Sequence, residues 1–438
     1  MGRGTVTKPL KVALLGAGVV GSQVARIIVD QGGTLESRIG RRLELVGVGV
    51  RNLDVPRPGI DPELLTDDLD GLVSRGDLDV VIELIGGIEP ARGLVLKAIG
   101  HGASIVTANK AMLADDLGAL SAAARDNGVD LYYEAAVAGA IPIIRPLRES
   151  LVGDEITEVM GIVNGTTNFI LDKMVTDGVS FADALAEAQE LGYAEADPTA
   201  DVEGHDAAAK AAILAGLAFH TEVRGSEVFS EGITEVTPGD IAAAEQMGCT
   251  IKLVAIAKLT DDDRIIVKVH PAMVANKHPL ASVSGAYNAI FVNSREAGEL
   301  MFLGAGAGGN PTASAVMGDV VTVARNRARG TAGHFSPAYT RRQVAPIGES
   351  SAQFYVSFDV VDRPGILAKC AAVFGKHNVS LRVVQQSYLD DTRADGFPAR
   401  LGIMTHQTLE SQLAQVIDEL EDADFVGSGV RVMRVEGF

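Results

Sequence analysis

Short, almost wholly apolar runs punctuate the chain, and between them lie longer stretches with apolar positions three and four apart. Leu10 to Leu15 is the first such run, the pattern of a strand buried on both faces. It leads into Gly16-Ala17-Gly18-Val19-Val20-Gly21, after which helical spacing continues to about Val29. Further strands are expected at Leu43 to Val50, Leu78 to Leu84, Ser104 to Thr107 and Leu131 to Tyr133, with helical segments such as Ala91 to His101 and Ala111 to Asn127 between them. Gln31 to Arg42 reads as an insertion. Strand and helix alternating in this way predict an α/β unit of Rossmann type, a doubly wound parallel sheet.

From about Pro146 the pattern changes. Ile156 to Val163 is strand-like, and Phe181 to Leu191 and Ala207 to Phe219 are helical. Two hairpins follow, Lys252 to Leu259 with Ile265 to Val269, and Ala289 to Val292 with Leu300 to Leu303. This predicts a mixed α+β domain with an antiparallel sheet. The glycine-rich loop Gly304 to Gly309 then opens a helix to about Arg327 that is expected to return to the first domain. Residues 329–352 lack periodicity and read as a linker. After it, Phe354 to Asp359, a helix from Ile366, Val379 to Gln385, Leu401 to Thr405, a helix over Leu409 to Leu420, and Val430 to Val435 give the ferredoxin-like order βαββαβ. The expected division is 1–145 with 306–328, then 146–305, the linker, and 353–438.

A length of 438 residues fits about three such domains. With 57 acidic against 38 basic residues, the net charge of −19 opposes a nucleic-acid or anionic-membrane partner, and no basic cluster offsets it. No apolar run is long enough to span a membrane, and the N-terminus has no secretory h-region. Cys249 and Cys370 cannot build a disulfide framework, so a cytoplasmic location is expected.

The Gly16 to Gly21 run has the G-x-G-x-x-G form between a strand and a helix, where Gly16 makes the turn, Gly18 lets a pyrophosphate approach and Gly21 lets helix and strand pack. It predicts dinucleotide binding. The second strand ends in Arg51 where an NAD site would carry an acid, which favours NADP(H) while leaving NAD(H) admissible; a solvated surface base is the other reading of Arg51. Asp206 and Lys210 stand four apart, in register with Ile213, Leu214 and Leu217, so they are either a desolvated functional pair or a surface ion pair. Lys110 ends a strand-to-helix turn and is either an electrostatic catalyst or a solvated helix-start lysine. Glu134 lies in a small-residue loop whose carbonyls could join it around a hard cation, although an ordinary loop glutamate fits equally.

Taken together, the glycine fingerprint, Val106-Thr107-Ala108-Asn109-Lys110-Ala111, Asn164-Gly165-Thr166-Thr167-Asn168, Gly192-Tyr193-Ala194-Glu195-Ala196-Asp197-Pro198 and Gly304-Ala305-Gly306-Ala307-Gly308 resemble the homoserine dehydrogenase family. From Phe354, with Asp362-Arg363-Pro364-Gly365-Ile366-Leu367-Ala368, the chain looks like an ACT domain. The resemblance implies reversible reduction of L-aspartate 4-semialdehyde to L-homoserine, in threonine, methionine and isoleucine biosynthesis. It implies that Glu195 and Asp206 hold the substrate, that Lys210 donates the proton and that Lys110 stabilises developing charge. Gly192 and Gly308 would line the cofactor and substrate pocket. It further implies a monovalent cation, Na+ or K+, held through Glu134 and the carbonyls of Val137, Gly139 and Ile141. L-Threonine would be an effector at the terminal module, coupled to the other domains across residues 329–352. A homodimer or homotetramer is expected.

Two other readings compete. An acylating semialdehyde dehydrogenase needs a thiolate near a base, and neither cysteine has a motif around it. A noncatalytic amino-acid sensor would have no need of Glu195, Asp206, Lys210 and Lys110 together.

Overall fold

The computed structural model describes residues 8–333, 342–389, 396–427 and 429–437. Residues 334–341, within the expected linker, lie outside this set, as do the first seven. The described residues of Met1–Gly165, Asp206–Val228 and Ala286–Arg342 form one compact unit, and those of Thr166–His205, Phe229–Gly285 and Gln343–Phe438 a second.

In the first unit, β1 (Leu10–Leu15), β2 (Leu43–Gly49), β3 (Leu65–Thr66), β4 (Val80–Glu83), β5 (Ser104–Thr107) and β6 (Leu131–Tyr132) make one parallel sheet in the order β3-β2-β1-β4-β5-β6. Strand order reverses beside β1, so the carboxyl ends of β1 and β4 flank the crevice where such sheets bind ligands. The strands are buried on both faces because helices cover both. Residues 31 to 42, read as an insertion, contain a helix over Gly32–Ile39 whose Leu35 and Ile39 join the core. The segment was too short and too glycine-rich at its start to declare its period. The helix Gly309–Arg329 does return here: Ala313, Val316, Val320 and Val323 share a core with Val24, Ala25 and Ile28 of the helix Val19–Asp30. Strands Ile156–Ile162, Tyr287–Ser294 and Gly298–Ala305 add an antiparallel sheet to this unit.

Helix His205–Ala218 departs from the expected single apolar stripe. It is buried on nearly every side, because its alanines let neighbours approach all round. Two further helices, Gly165–Asp177 and Pro238–Gln246, had no clear period to announce them.

In the second unit, Cys249–Leu259 and Ile265–Ala275 form a hairpin longer than expected, in register from Leu259 opposite Ile265 to Cys249 opposite Ala275. The terminal module has the expected βαββαβ core, with strands ordered Arg431–Glu436, Ser351–Val360, Ala399–Thr405, Leu381–Tyr388, all antiparallel. Its core gathers Phe354, Phe358, Cys370, Phe374, Leu401, Ile403, Val416 and Leu420. The module is not attached by the chain connection alone. Arg434, Val435 and Glu436 pair in parallel with Ala272, Met273 and Val274 of the hairpin, and Lys268, itself buried, donates to Glu436 at 3.1 Å. Ala345 donates to the Ile265 carbonyl at 2.8 Å, extending the cover to the other end of that strand.

Cutting the chain after Arg329 therefore strips an interior strand of its neighbour, and unpaired strand edges recruit other chains. The truncated protein is expected to melt several degrees lower and to aggregate at concentrations where the full chain stays dispersed. Light scattering and calorimetry on both check this; equal melting and dispersion would mean that the strand pairing contributes nothing.

Candidate active site

The fingerprint turn meets the physical requirements of a dinucleotide cradle. Gly16 has φ +98°, and a Cβ there would sit 2.7 Å from the Leu84 carbonyl oxygen. A Cβ at Gly21 would collide with the Gly16 carbonyl, whereas at Gly18 it would meet nothing within 4 Å. The first and third glycines thus bring backbone against backbone. The second leaves open space beside the start of a helix, whose free N–H groups and dipole favour an anion. Ala17 and Val20 pack against the core, while Val19 stays exposed. Gly308, with φ +118°, precedes the second long helix, and a Cβ on Gly309 would lie 3.2 Å from the Val19 carbonyl oxygen, so two helix starts converge at one place. Arg51 is exposed just beyond the carboxyl end of β2.

On the same unit, three segments bring their side chains to one buried carboxylate. Lys110 is the first residue of the helix Lys110–Asp126, which Asn109 caps by accepting from the Met112 N–H at 3.2 Å. Its ammonium donates to Asp206 Oδ1. Asp206 Oδ2 accepts from Lys210 at 2.6 Å and from Asn164 Nδ2 at 2.9 Å, and Lys210 also donates to the Val163 carbonyl at 2.7 Å. Burial by itself would raise the Asp206 carboxyl, but the ammonium groups of Lys210 and Lys110 outweigh it and hold it well below the usual carboxylate range. Asp206 and Lys210 are both buried, so the pair is not a surface ion pair. The Lys110 side chain is half-exposed. Asn164 opens the Asn164-Gly165-Thr166-Thr167-Asn168 motif, but nothing local marks Asp206, 42 positions away, as its partner.

Gly192 and Glu195 lie in the second unit, on the exposed turn after the helix Phe181–Glu190. Gly192 has φ +77°, and the Tyr193 carbonyl accepts from the Thr166 hydroxyl at 2.7 Å.

Glu134 is buried, and its carboxylate accepts from the backbone N–H of Ile144 at 2.7 Å and of Arg145 at 3.0 Å. Its own N–H donates to Asp319 at 2.7 Å, and Arg145 donates to Asp319 at 2.8 Å. Val137, Gly139 and Ile141 follow in the same loop, where Ala138 and Gly139 are both left-handed and Gly139 packs directly on the Gly306 carbonyl. The donors offered are all oxygens, which suit a hard cation rather than zinc. Among the described residues no group of three His, Cys, Asp or Glu is arranged to hold a metal. The two cysteines are free and buried, and burial pushes both thiols up to about 11, which removes the thiolate an acylating enzyme needs.

An open glycine cradle at the switch point of a parallel sheet, with two ammonium groups on one buried carboxylate, defines a dinucleotide-dependent oxidoreductase. The comparisons with known proteins give the particular kind. A family model described as "Homoserine dehydrogenase, NAD binding domain" matches residues 16–134, and one described as "Homoserine dehydrogenase" matches 142–321. A homoserine dehydrogenase of Mycobacterium tuberculosis is 51% identical over 434 residues, 98% of each chain. The crystal structure of a homoserine dehydrogenase from Thiobacillus denitrificans superposes with a TM-score of 0.92 at 38% identity, covering 98% of both chains. A hyperthermophilic archaeal homoserine dehydrogenase in complex with NADPH covers 72% of this chain and 98% of its own, with a TM-score of 0.60 and 27% identity. The chain belongs to the homoserine dehydrogenase family, and so to the oxidoreductases. Among its described residues no helix is long and apolar enough to cross a membrane.

The Asp319 carboxyl generates a pH dependence. Burial, reinforced by the Glu134 carboxylate, pushes it up to about 7 against the pull of Arg145 and Arg148. Between the ordinary value of 3.8 and about 7 the folded chain holds a proton that the unfolded chain has lost. Stability from this group therefore falls as pH rises through that window and is flat above it. Asp319→Asn cannot titrate, so its melting temperature should fall less than that of the wild type between pH 5 and 7.5. Parallel pH profiles for the two proteins would refute the shift.

Proposed function

We propose that Lys210, Lys110, Asp206 and Glu195 divide the interconversion of L-aspartate 4-semialdehyde and L-homoserine among them. The observation that carries this reading is the convergence of Lys110 and Lys210 on Asp206, at the carboxyl edge of the dinucleotide sheet. A bound nicotinamide supplies or takes the hydride. Reduction of the aldehyde puts negative charge on its oxygen, and the chain must receive that charge and supply a proton. An ammonium has three N–H groups. Lys210 commits one to Asp206 and one to Val163, which leaves one to protonate the forming alkoxide. Lys110, with its remaining N–H groups, stabilises the oxygen electrostatically. Asp206 aims both lysines through its hydrogen bonds, and with three donors already accepted it retains about one lone-pair direction for a substrate ammonium. Glu195 is assigned to that ammonium on the resemblance of its motif.

Lys210→Ala and Lys110→Ala should each lower kcat by a factor of about 100 or more, with the KM for the dinucleotide little changed. Steady-state kinetics with L-homoserine test this, and near-normal turnover in either variant would remove that lysine from the mechanism.

For the cofactor we favour NADP(H), with Arg51 at the 2′-phosphate; the NADPH complex of the archaeal relative supports that dinucleotide for the family's fold. Arg51→Ala should then narrow the ratio of kcat/KM for NADPH over NADH about tenfold, the scale of one charged contact. An unchanged ratio would sink the assignment. A monovalent cation held by Glu134 and the loop carbonyls of Val137, Gly139 and Ile141 would be structural, fixing the loop rather than taking part in the chemistry; the two backbone N–H groups on the Glu134 carboxylate leave lone pairs for it.

The terminal module is read as an ACT domain with L-threonine as its effector, in an assembly of two or four chains and in the cytoplasm. Support comes from a cavity of about 470 Å³ lined by Asp362, Arg363, Gly365, Ile366 and Gln386, at the start of the helix Ile366–Lys376. Charged groups of both signs beside free helix N–H groups suit an amino-acid zwitterion. Millimolar L-threonine should inhibit the full-length enzyme, and Asp362→Ala should weaken that inhibition. Activity indifferent to threonine across several pH and salt conditions would leave the module without this role.

A further inference from the structure

Glu83 ends β4 and is wholly buried, yet among the described residues no lysine, arginine or histidine pairs with it. A carboxylate in that position is costly unless every lone pair is used to some purpose. One oxygen accepts from the backbone N–H groups of Ile85 at 2.8 Å and Gly86 at 3.1 Å, and the other accepts from the Thr107 hydroxyl at 2.5 Å. Thr107 ends the neighbouring strand β5, and its hydroxyl in turn accepts from the Asn109 N–H at 3.0 Å. Asn109 caps the helix that Lys110 begins, and its amide donates to the Gly87 carbonyl at 2.6 Å. The chain of bonds thus closes on itself, from Glu83 through Thr107 and Asn109 to the Gly86-Gly87 turn, where both glycines are left-handed. Leu84 and Ile85, held within this ring, are the residues that pack directly against Gly16.

We infer that Glu83 is a positioning residue: it locks the start of the Lys110 helix to the turn beneath the dinucleotide cradle, so that the Lys110 ammonium is aimed at the reacting oxygen. This rests on the role given to Lys110 above. Lys110 is the first residue of its helix and half-exposed, so its direction depends on how that helix start is held. Only a carboxylate of this length serves both sides at once. Glutamine has the same shape but one acceptor oxygen, so it must release either the Ile85 and Gly86 amides or the Thr107 hydroxyl from acceptance.

The test is kinetic. Glu83→Gln should lower kcat for L-homoserine oxidation about tenfold, as misplacement of a catalytic group does, and leave the KM for NADP within about threefold. Thr107→Val should reproduce the loss and Thr107→Ser, which keeps the hydroxyl, should recover most of it. In a Lys110→Ala background, Glu83→Gln should cost less than about twofold more, because its effect passes through that lysine. If Glu83→Gln does not fold, the Thr107 pair decides. Normal kcat in a folded Glu83→Gln protein would overturn the assignment, as would equal activity of the Thr107→Val and Thr107→Ser variants, or a full tenfold loss persisting without Lys110. Wild-type turnover in the same assay keeps that outcome distinct from failure of the homoserine reading itself, in which the wild type would not turn over and the role of Glu83 would fall with it.

Discussion

A carboxylate removed from water beside two ammonium groups constrains the first unit more than any other contact in it. Asp206 lies at the start of a helix that is buried almost all round, where a lone charge would cost several kcal/mol. What makes the position tenable is that Lys110, Lys210 and Asn164 arrive from three separate stretches of chain and use its oxygens nearly completely. Loss of Lys210, the buried partner, would leave the Asp206 charge under-matched, at a cost on the order of 3–5 kcal/mol for a buried ion pair. The helix of Lys110, the helix of Lys210 and the segment around Asn164 are therefore held in a single arrangement. That arrangement also suits the chemistry proposed for it, because an ammonium fixed beside a buried carboxylate stabilises a forming alkoxide better than one free in water.

Two other buried acids of this unit follow a different logic. Glu83 and Glu134 spend their oxygens largely on backbone N–H groups, at the turn after β4 and at the Ile144-Arg145 segment. A carboxylate accepting such bonds ties down irregular backbone that no strand or helix can satisfy. Both stand beside elements with chemistry assigned to them, Glu83 beneath the fingerprint turn and Glu134 at the start of the loop that carries Val137, Gly139 and Ile141. In a chain of net charge −19, these acids work as internal clamps rather than as surface charge.

The terminal module joins its neighbour through the backbone. Pairing of Arg434 to Glu436 with Ala272 to Val274 offers a stiff route within the second unit, since a displacement of the module must either move that hairpin or break the ladder. The ion pairs of Arg434 with Glu410 at 2.5 Å and with Glu231 at 2.7 Å brace the same strand from both sides.

Periodicity and glycine placement determined much by themselves. The parallel sheet, the βαββαβ order and the fingerprint turn were legible because burial on two faces, a period of 3.6 and a positive φ each leave a local signature. Short or weakly patterned helices such as Gly32–Ile39 were not, and the helix His205–Ala218 disclosed its type but not its surroundings. For the site, the Asp206 and Lys210 spacing showed that the two could meet, while leaving undecided whether they met in water or in the interior. That was settled only by tertiary structure, which surrounded the helix and brought Lys110 from 96 residues away. Glu83 stood unremarked inside the strand expected at Leu78 to Leu84, and its bond to Thr107 exists only where β5 is laid beside β4. Local sequence carries conformational preference, but the worth of a charge depends on the dielectric around it and on partners distant in the chain, and those exist only once the chain has folded.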